Sequence, residues 1–329
     1  MEKIEKMQVS IVIPNYNGEA YIDNCLDSLK EQTDAGRYEI IVVDDCSQDK
    51  SRELLRARKN EITLVENSRN RGFAASVNRG IRASRGEYVL LLNNDVVVTP
   101  DFVHNLTAAI SRSERIFSVS SRMVRYYERD KLDDVGDQYH VLGWAFKRGD
   151  GKPVTEYAKP ERVFSTCAGA GLYRRAVFEE IGLFDEAYFA YLEDLDVSYR
   201  GLIYGYENWY EPSAVCYHIG SATTADGEKY SPFKVRISAR NNVYTAYKNM
   251  PALQLLVNAP FLIGGFAIKT AVFTKRGYGK DYRAGLKEGL TTLHRIQKTP
   301  FKAAHTLRYL QIELWLLENL GRHLSEKMR

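Results

Sequence analysis

The chain has 329 residues, of which 44% are hydrophobic and 27% charged, and its formal net charge is +4. This composition is typical of a globular protein with enough length for one large domain and an appendage. Lysine and arginine are spread along the chain without a long basic run, and no zinc-type spacing of cysteine and histidine occurs, so the composition argues against nucleic acid as a partner.

The cysteines and the N-terminus indicate the cellular compartment. Cys25, Cys46, Cys167 and Cys216 are far apart and form no CxxC pair, which favours reduced thiols in a cytoplasmic protein. Residues 1–8 are charged and lack an apolar core, so no secretory signal is expected.

From residue 9 to residue 110, predicted strands alternate with predicted helices. Each predicted strand is a short apolar run bounded by polar turns: residues 9–13, 39–43, 62–65 and 88–92. The helices are predicted from apolar residues at helical spacing: about 21–29, 50–59, 73–83 and a further one after residue 101. This alternation predicts an α/β fold with a doubly wound, mostly parallel sheet.

Three of these strands run directly into polar residues. The pairs are Asn15-Tyr16, Asp44-Asp45 and Asn94-Asp95. Each could simply turn the chain or cap the next helix, but the carboxyl ends of parallel strands meet at one sheet edge, where ligands usually bind. The sequence has neither GxGxxG after the first strand nor GxxxxGK[ST], which excludes a dinucleotide fingerprint and a P-loop.

The pattern is less regular from Phe117, and we interpret that region as an insertion of uncertain structure that covers the site. A strand rich in small residues is expected at residues 164–173, and a helix at 175–181. Acidic residues then precede a helix predicted at 197–204, where they either cap the helix or act chemically. A strand at 208–218 ends at His218, which is either structural or a metal ligand.

The C-terminal region is helical in pattern. Residues 252–273 are mainly apolar but include Asn258, Pro260 and Lys269 and are followed by basic residues. This favours an interfacial or re-entrant helix pair, or a helix buried against the catalytic domain or a second subunit, over a true membrane span. Residues 303–323 predict an amphipathic helix that packs on the domain, or serves dimerisation or membrane contact.

In this order, the motifs resemble those of the family 2 inverting glycosyltransferases with a GT-A fold, particularly rhamnosyltransferase-like bacterial members. The resemblance covers residues 9–249. It implies a catalytic domain at 1–249, with a nucleotide-binding half at about 9–116 and an acceptor-binding half at 117–249. Residues 250–329 would form a helical region that contacts a membrane or oligomerises.

The resemblance also implies roles for individual residues. The triplet Asn93-Asn94-Asp95 lies at the position of the family's DxD motif and keeps only the last acid of that motif. Asp95 and His218 are the implied metal ligands. Asp194 is the implied catalytic base, and Glu193 orients it or binds the acceptor. The implied nucleotide-binding residues are Pro14, Asn15, Tyr16, Asp44, Asp45, Arg71, Gly72, Asn78, Asn93 and Asn94. Those implied for the acceptor or donor sugar are Gly169, Ala170, Gly171 and Ser221.

The expected activity is metal-dependent transfer of a sugar with inversion. The cofactor would be Mg²⁺ or Mn²⁺, because a leaving diphosphate requires a hard cation. The donor would be dTDP- or UDP-linked, with dTDP-rhamnose as the first candidate. The acceptor would be a saccharide or lipid-linked saccharide in bacterial surface polysaccharide synthesis, with the enzyme in the cytoplasm or at the inner face of the membrane, as a monomer or homodimer.

Two other classes of protein would fit the nucleotide-binding half. A nucleotidyltransferase should carry a phosphate loop with glycine and lysine after the first strand, but residues 14–18 have neither a lysine nor a pair of glycines. A non-catalytic module that binds a sugar nucleotide or glycan would not need the acids Glu193 and Asp194.

Overall fold

The computed structural model describes residues 8–33, 38–220 and 230–328, and a ten-stranded mixed sheet organises them. The strands are β1 (Val9–Asn15), β2 (Tyr38–Asp44), β3 (Thr63–Glu66), β4 (Tyr88–Leu92), β5 (Val96–Val98), β6 (Ile116–Arg125), β7 (Leu132–Asp134), β8 (Asp137–His140), β9 (Trp144–Lys147), β10 (Glu161–Val163), β11 (Ala170–Arg174) and β12 (Glu207–His218). The helices are α1 (Ile22–Lys30), α2 (Ser51–Ala57), α3 (Phe73–Ala83), α4 (Phe102–Ile110), α5 (Val177–Ile181), α6 (Glu193–Ile203), α7 (Pro232–Asn249), α8 (Ala252–Lys275), α9 (Gly279–Thr291) and α10 (Thr306–Met328).

The N-terminal half of the sheet has the predicted parallel arrangement. Strand β1 pairs in parallel with β2 and β4, and β2 pairs in parallel with β3. Alternate residues of β1 enter two different cores: Ile11 and Ile13 pack with α1 and α4, whereas Val12 packs with α3. Because both faces are covered, these strands read as continuous apolar runs. Their carboxyl ends therefore meet at one edge of the sheet.

From Phe117 onward, where the sequence pattern left the structure uncertain, the chain begins with a regular ten-residue strand. Strand β6 lies between β12 and β11, parallel to β12 and antiparallel to β11. Its three serines gave the segment a polar appearance, yet all three are buried, and two of them, Ser118 and Ser121, are hydrogen bonded. Ser118 Oγ lies 2.7 Å from Thr166 Oγ1 and donates to Asn208 Oδ1 at 2.7 Å, and Ser121 Oγ donates to the Ala170 carbonyl. Polar residues in a central strand are stable when such partners satisfy them.

Two predicted boundaries move in the second half of the chain. The small-residue strand is confined to β11, which begins at Ala170 rather than at residue 164. Helix α6 begins at Glu193, four residues before the predicted start, so the acids belong to its first turn. The predicted helix before Gly182 and the predicted strand that ends at His218 are both present.

The C-terminal region is a set of helices that pack on the sheet domain and on one another. Residues 252–273 form one continuous helix, α8, rather than a pair, with Pro260 inside it. Within the ranges described above, it is the one helix whose length and apolar composition would allow it to cross a bilayer, and 17% of its most apolar window is buried. The amphipathic helix expected at 303–323 is α10, whose buried face includes Tyr309, Ile312 and Leu316.

Candidate active site

The three polar strand ends predicted from the sequence are brought together by side-chain hydrogen bonds. Asn15 Nδ2 donates to Asp44 Oδ1 at 2.9 Å, and Asn94 Nδ2 donates to Asn15 Oδ1 at 2.8 Å. All three side chains are buried, and Gly18 permits the contact, since a Cβ there would lie 2.2 Å from Asn94 Nδ2. Tyr16 remains partly exposed beside them. The ends of β1, β2 and β4 therefore form one polar edge, whose side chains are held in place by hydrogen bonds.

Asp45 holds the loop that precedes α3. Its Oδ1 accepts hydrogen bonds from Asn67 Nδ2 and from the Arg71 backbone N–H, and its Oδ2 accepts one from the Gly72 N–H at 2.8 Å. Gly72 has a φ of 86°, and a Cβ there would meet the Phe189 ring at 2.5 Å. The loop is thus fixed against the segment that leads to α6, and the nucleotide contacts of Asp45, Arg71 and Gly72 stay predictions.

Asn78 connects two parts of the site wall. Its Nδ2 donates to the Phe184 carbonyl at 2.8 Å, and its Oδ1 accepts from the Phe184 N–H at 3.0 Å. The amide is buried in α3. In this structure Asn78 fixes the turn around Phe184, and its predicted contact with a nucleotide stays a prediction.

Several charged side chains surround His218 at the end of β12. The pairing of β5 with β12 places His218 opposite Val96, so that His218 Nε2 lies 3.4 Å from Asp95 Oδ2. On its other side, His218 Nδ1 lies 2.6 Å from Asp133 Oδ2, and Lys147 Nζ lies 3.1 Å from the same carboxylate. Burial lowers the pKa of His218, but the two carboxylates outweigh it and raise that pKa to about 9.

These residues fit a divalent cation. Two neighbouring ligands of one ion lie about 3 Å apart when each metal–ligand bond is about 2.1 Å, which is near the 3.4 Å between Asp95 and His218. A metal-binding histidine also commonly pairs its other ring nitrogen with a carboxylate, as His218 does with Asp133. Asp95 and His218 therefore could hold the ion, with Asp133 orienting the imidazole.

The sequence interpretation missed Asp133. It lies on β7, inside the region where the sequence pattern left the structure uncertain, and antiparallel pairing of β7 with β6 brings it to the site. A local signal was available, because Asp133 and Asp134 interrupt the apolar residues Leu132 and Val135. Paired acids in such a run are unusual unless they serve a site.

Replacing Asp133 with asparagine is expected to weaken Mn²⁺ affinity by about 10- to 100-fold, because the neutral amide orients and polarises the imidazole of His218 less well. Calorimetric titration of Mn²⁺ in the presence of UDP measures this effect. The matched control is Asp130→Asn, an exposed acid nearby, which should bind Mn²⁺ as the wild type does. Unchanged affinity in Asp133→Asn would contradict the assignment.

Two acids lie on the other side of the site, in the first turn of α6. Asp194 Oδ2 accepts from the Ala168 N–H at 3.2 Å, and Asp194 Oδ1 accepts from the Leu195 N–H at 2.8 Å. Glu193 is 5% exposed, and its Oε2 has no hydrogen-bond partner. Burial raises the pKa of both carboxyl groups. A carboxylate with a raised pKa is a better proton acceptor than an ordinary one.

A short backbone connection joins the two sides. The Asn93 N–H donates to the Gly169 carbonyl at 2.8 Å, and a Cβ on Gly169 would lie 3.1 Å from Asn93 Nδ2. Ala168, the next residue back, is the one that donates to Asp194. Asn93, two residues before Asp95, is therefore linked to Asp194 through residues 168–169, which directly precede β11. Of the other residues predicted to bind sugar, Ala170 and Gly171 are buried in β11, and Ser221 lies outside the described residues.

The backbone before α6 is strained, and two side chains of α7, Arg240 and Asn241, hold it. Phe189, Tyr191 and Leu192 have φ values of 63°, 68° and 69°, a region that residues with side chains rarely adopt. Asn241 Nδ2 on α7 donates to the carbonyls of Tyr188, Ala190 and Tyr191. Strain of this kind persists only where the surroundings enforce it, typically at functional sites. Asn241 thus positions the acids, a role that its sequence context did not indicate.

A further acidic group lies beside Asp194. Ligand atoms of Asp134, Asp137 and Cys167 lie within 4.8 Å of one another, a spacing that could hold a cation. Burial raises the pKa of both Asp134 and Asp137, and neighbouring acids, including Asp194, add to the effect on Asp137. The thiol suits a hard cation poorly. The group places two further carboxyl groups near Asp194.

The chain is similar to known glycosyltransferases in sequence and in fold. The sequence profile described as "Glycosyl transferase family 2" matches residues 10–182, more than half of the chain. The chain is 43% identical over 94 residues to the poly(ribitol-phosphate) beta-glucosyltransferase of Bacillus spizizenii, covering 27% of this chain and 15% of that protein. For three other curated glycosyltransferases, the matched stretch spans between 30% and 62% of their length.

Solved structures show the same fold at low identity. One is GalNAc-T7 with UDP, GalNAc and Mn²⁺, with a TM-score of 0.59 and 19% identity over 73% of this chain and 48% of that chain. Another is the mannosyltransferase PcManGT from Pyrobaculum calidifontis with GDP-Man and Mn²⁺, with a TM-score of 0.54 and 17% identity over 94% and 87%. Their shared architecture is the GT-A fold. With its profile match and this architecture, the chain belongs to glycosyl transferase family 2.

Proposed function

We propose that the protein is a metal-dependent inverting glycosyltransferase that uses a pyrimidine nucleoside diphosphate sugar. One observation carries this proposal: the pair Asp95–His218 and the acid Asp194 are connected through the backbone of residues 93 and 168–169. We assign cation binding to the pair and proton acceptance to Asp194. Sugar transfer needs both functions a short distance apart, one for the leaving diphosphate and one for the attacking hydroxyl.

The chemistry follows from this division. A divalent cation held by Asp95 and His218 would neutralise the charge on the leaving diphosphate. Asp194 accepts the proton of the acceptor hydroxyl as its oxygen bonds to C1 of the sugar, while the bond from C1 to the diphosphate oxygen breaks. Attack from the opposite face inverts the anomeric carbon and requires no covalent sugar–enzyme intermediate. Glu193, buried next to Asp194, orients it or contacts the acceptor.

The donor base is the next question. One structural neighbour holds UDP and another GDP-Man, so the fold accommodates both kinds of base. The pyrimidine assignment depends on the turn at residues 43–47, where Asp44 and Asp45 lie at the end of β2. The family resemblance implies that an acid of this turn accepts the N3–H of a uracil or thymine ring. Among pyrimidine donors, dTDP-rhamnose is the first candidate, from the resemblance to rhamnosyltransferases.

The acceptor is proposed to be a saccharide or lipid-linked saccharide of a bacterial surface polysaccharide. Support comes from the similarity to a poly(ribitol-phosphate) beta-glucosyltransferase, an enzyme named for a bacterial polymer. In this proposal residues 1–249 form the catalytic domain, which ends with α7, and residues 250–329 form the appended helical region.

Calorimetry with UDP, dTDP and GDP, each with Mn²⁺, with Mg²⁺ and with EDTA, tests the donor assignment. We expect the pyrimidine nucleotides to bind most tightly and the binding to weaken in EDTA. Tightest binding of GDP would overturn the base assignment, and affinity that is independent of metal would overturn the cation role of Asp95 and His218. A panel of nucleotide sugars, scored by release of nucleoside diphosphate, then identifies the sugar, and dTDP-rhamnose is tested beside UDP-linked hexoses.

A further inference from the structure

Unlike an ordinary surface helix, helix α8 is apolar on its exposed side as well as on its buried side, where Leu255, Leu262 and Phe266 pack in a core. From residue 252 to residue 272, every exposed side chain is apolar. They are Ala252, Leu253, Leu256, Val257, Pro260, Phe261, Ile263, Ala267, Ile268, Ala271 and Val272. Its polar side chains turn toward the protein instead: the amides of Gln254 and Asn258 donate to Glu313. An ordinary surface helix turns its apolar side to the core.

A row of leucines on α10 borders this apolar face. Its exposed leucines, at helical spacing along one side, are Leu307, Leu310, Leu314, Leu317 and Leu324, between 43% and 68% exposed. Glu313, which accepts from Asn258 of α8, lies one turn from both Leu310 and Leu317. The leucines of α10 and the outer side of α8 therefore form one surface, which we call the apolar face. A monomeric soluble protein rarely exposes an apolar surface of this extent.

Basic residues lie next to the apolar face. Lys275 and Arg276 follow the apolar part of α8, and the exposed side of α9 carries Lys280, Arg283 and Lys287. Of the two acids on α9, Glu288 is turned to the protein and pairs with Arg236 and Arg240 of α7. Asp281 is half-buried and is the one acid of α9 left beside these three cations. An apolar surface bordered by lysine and arginine suits the interface of a membrane that contains anionic lipid.

We propose that the apolar face docks on an anionic membrane surface, with α8 lying in the plane of the interface. A spanning orientation would require α8 to leave the protein, whereas Asn258, Leu262 and Gly265 near its middle are buried against the domain. The fit at Gly265 is close, since a Cβ there would lie 2.2 Å from the Leu142 carbonyl oxygen. A second copy of the chain is the alternative occupant of this face, and the oligomeric state distinguishes it in the test below.

The hairpin β8–β9 lies between helix α8 and the candidate active site. At its open end, Asp137 pairs with Lys147, whose Nζ contacts Asp133 beside His218. Near the turn, Trp144 Nε1 donates to the carbonyl of Gly265, on the buried side of α8, at 3.1 Å. Three residue steps along β9, roughly 10 Å, separate Trp144 from Lys147. If the proposed function is correct, an acceptor anchored in the bilayer would approach the site from the side of α8.

Vesicle flotation tests the docking surface on the full chain. The probes are phosphatidylcholine vesicles with and without phosphatidylglycerol, and the wild type should float with the mixed vesicles and bind pure phosphatidylcholine more weakly. The double variant Leu256→Gln/Ile263→Gln should bind at least about tenfold more weakly, because two apolar side chains leave the interface. Lys280→Glu/Lys287→Glu should lose the preference for anionic vesicles. The control is Tyr127→Ser, an exposed aromatic outside the apolar face, which should bind normally.

Three outcomes would overturn the proposal. Wild-type protein that floats with neither vesicle shows that the surface has no affinity for lipid. Resistance to carbonate extraction shows that α8 spans the bilayer. A dimer seen by light scattering, which Leu256→Gln dissociates while vesicle binding is absent, assigns the face to a second copy. UDP affinity measured on the same variants reports separately on the proposed function and confirms that each variant is folded.

Discussion

Asp194→Asn is expected to lower kcat for sugar transfer by about 10²- to 10⁴-fold, the usual contribution of a general base, and to leave UDP affinity nearly unchanged. Asparagine has the size of aspartate, and its oxygen can still accept from the Leu195 N–H, as Asp194 Oδ1 does. It cannot accept the proton of the acceptor hydroxyl. Single-turnover transfer, together with calorimetry of UDP binding, separates the two effects.

Two controls sharpen this test. Asp101→Asn changes an exposed acid before α4 that makes no side-chain capping bond, and it should transfer sugar at the wild-type rate. Glu193→Gln tests the neighbouring acid, and its loss should be smaller than that of Asp194→Asn if Glu193 only orients the base. Loss of UDP affinity in Asp194→Asn would instead place Asp194 among the metal ligands. Transfer at the wild-type rate would move the base elsewhere.

Asp196→Ala is expected to reduce the free energy of unfolding by about 3–5 kcal/mol, as is typical when one partner of a buried ion pair is removed. Asp196 is fully buried in α6. Its Oδ2 accepts from Arg200 at 2.9 Å and from Lys248 Nζ at 3.0 Å, and its Oδ1 accepts from Asn249 at 2.8 Å. Without it, two buried cations on α6 and α7 lose their shared partner.

Urea denaturation measures this loss, with Glu318→Ala as the matched control. Glu318 and Arg322 form the same i,i+4 pair on α10, but both are more than half exposed, so this variant should change stability by less than about 1 kcal/mol. Similar small losses in both variants would contradict the role assigned to Asp196.

The stabilisation by Asp196 should also depend on pH. Burial opposes its charge, but Arg200 and Lys248 outweigh burial and hold the pKa of Asp196 below its usual value. Because the folded-state pKa is the lower one, this stabilisation is complete above the unfolded pKa of about 3.9. It disappears as the pH falls through the folded-state pKa. The difference between wild type and Asp196→Ala should therefore shrink in acid.

The local sequence pattern was sufficient to predict the strands and helices of the N-terminal half of the fold. The strands β1 to β4 are apolar runs followed by helical periodicity, and that alternation depends only on neighbours in sequence. Strand β6 was not predicted in this way, because Ser118 and Ser121 resemble surface residues in the sequence. Their hydroxyl groups are satisfied by residues about fifty to ninety positions away, such as Ala170 and Asn208. Only the assembled sheet supplies these partners.

The residues of the site also fall into two groups, those that the sequence indicated and those that only the structure revealed. The positions of Asp95, Asp194 and His218 were indicated by motifs that lie at predictable strand or helix ends. Asp133 and Asn241 were not, because each acts through a contact between distant elements. A sequence motif marks a residue by its neighbours in the chain, whereas these two residues are defined by neighbours in space.

Helix α8 shows the difference most plainly. Composition is enough to predict an apolar helix at residues 252–273, and the sequence left its environment open between protein and membrane. The fold resolves part of that question, since it turns Gln254 and Asn258 toward Glu313 and leaves Leu253, Leu256, Ile263 and Ile268 exposed. Hydrophobicity is a property of each side chain, but the exposure of a side chain depends on which face of its helix packs against another element. That pairing exists only once α8, α10 and the hairpin β8–β9 have packed together.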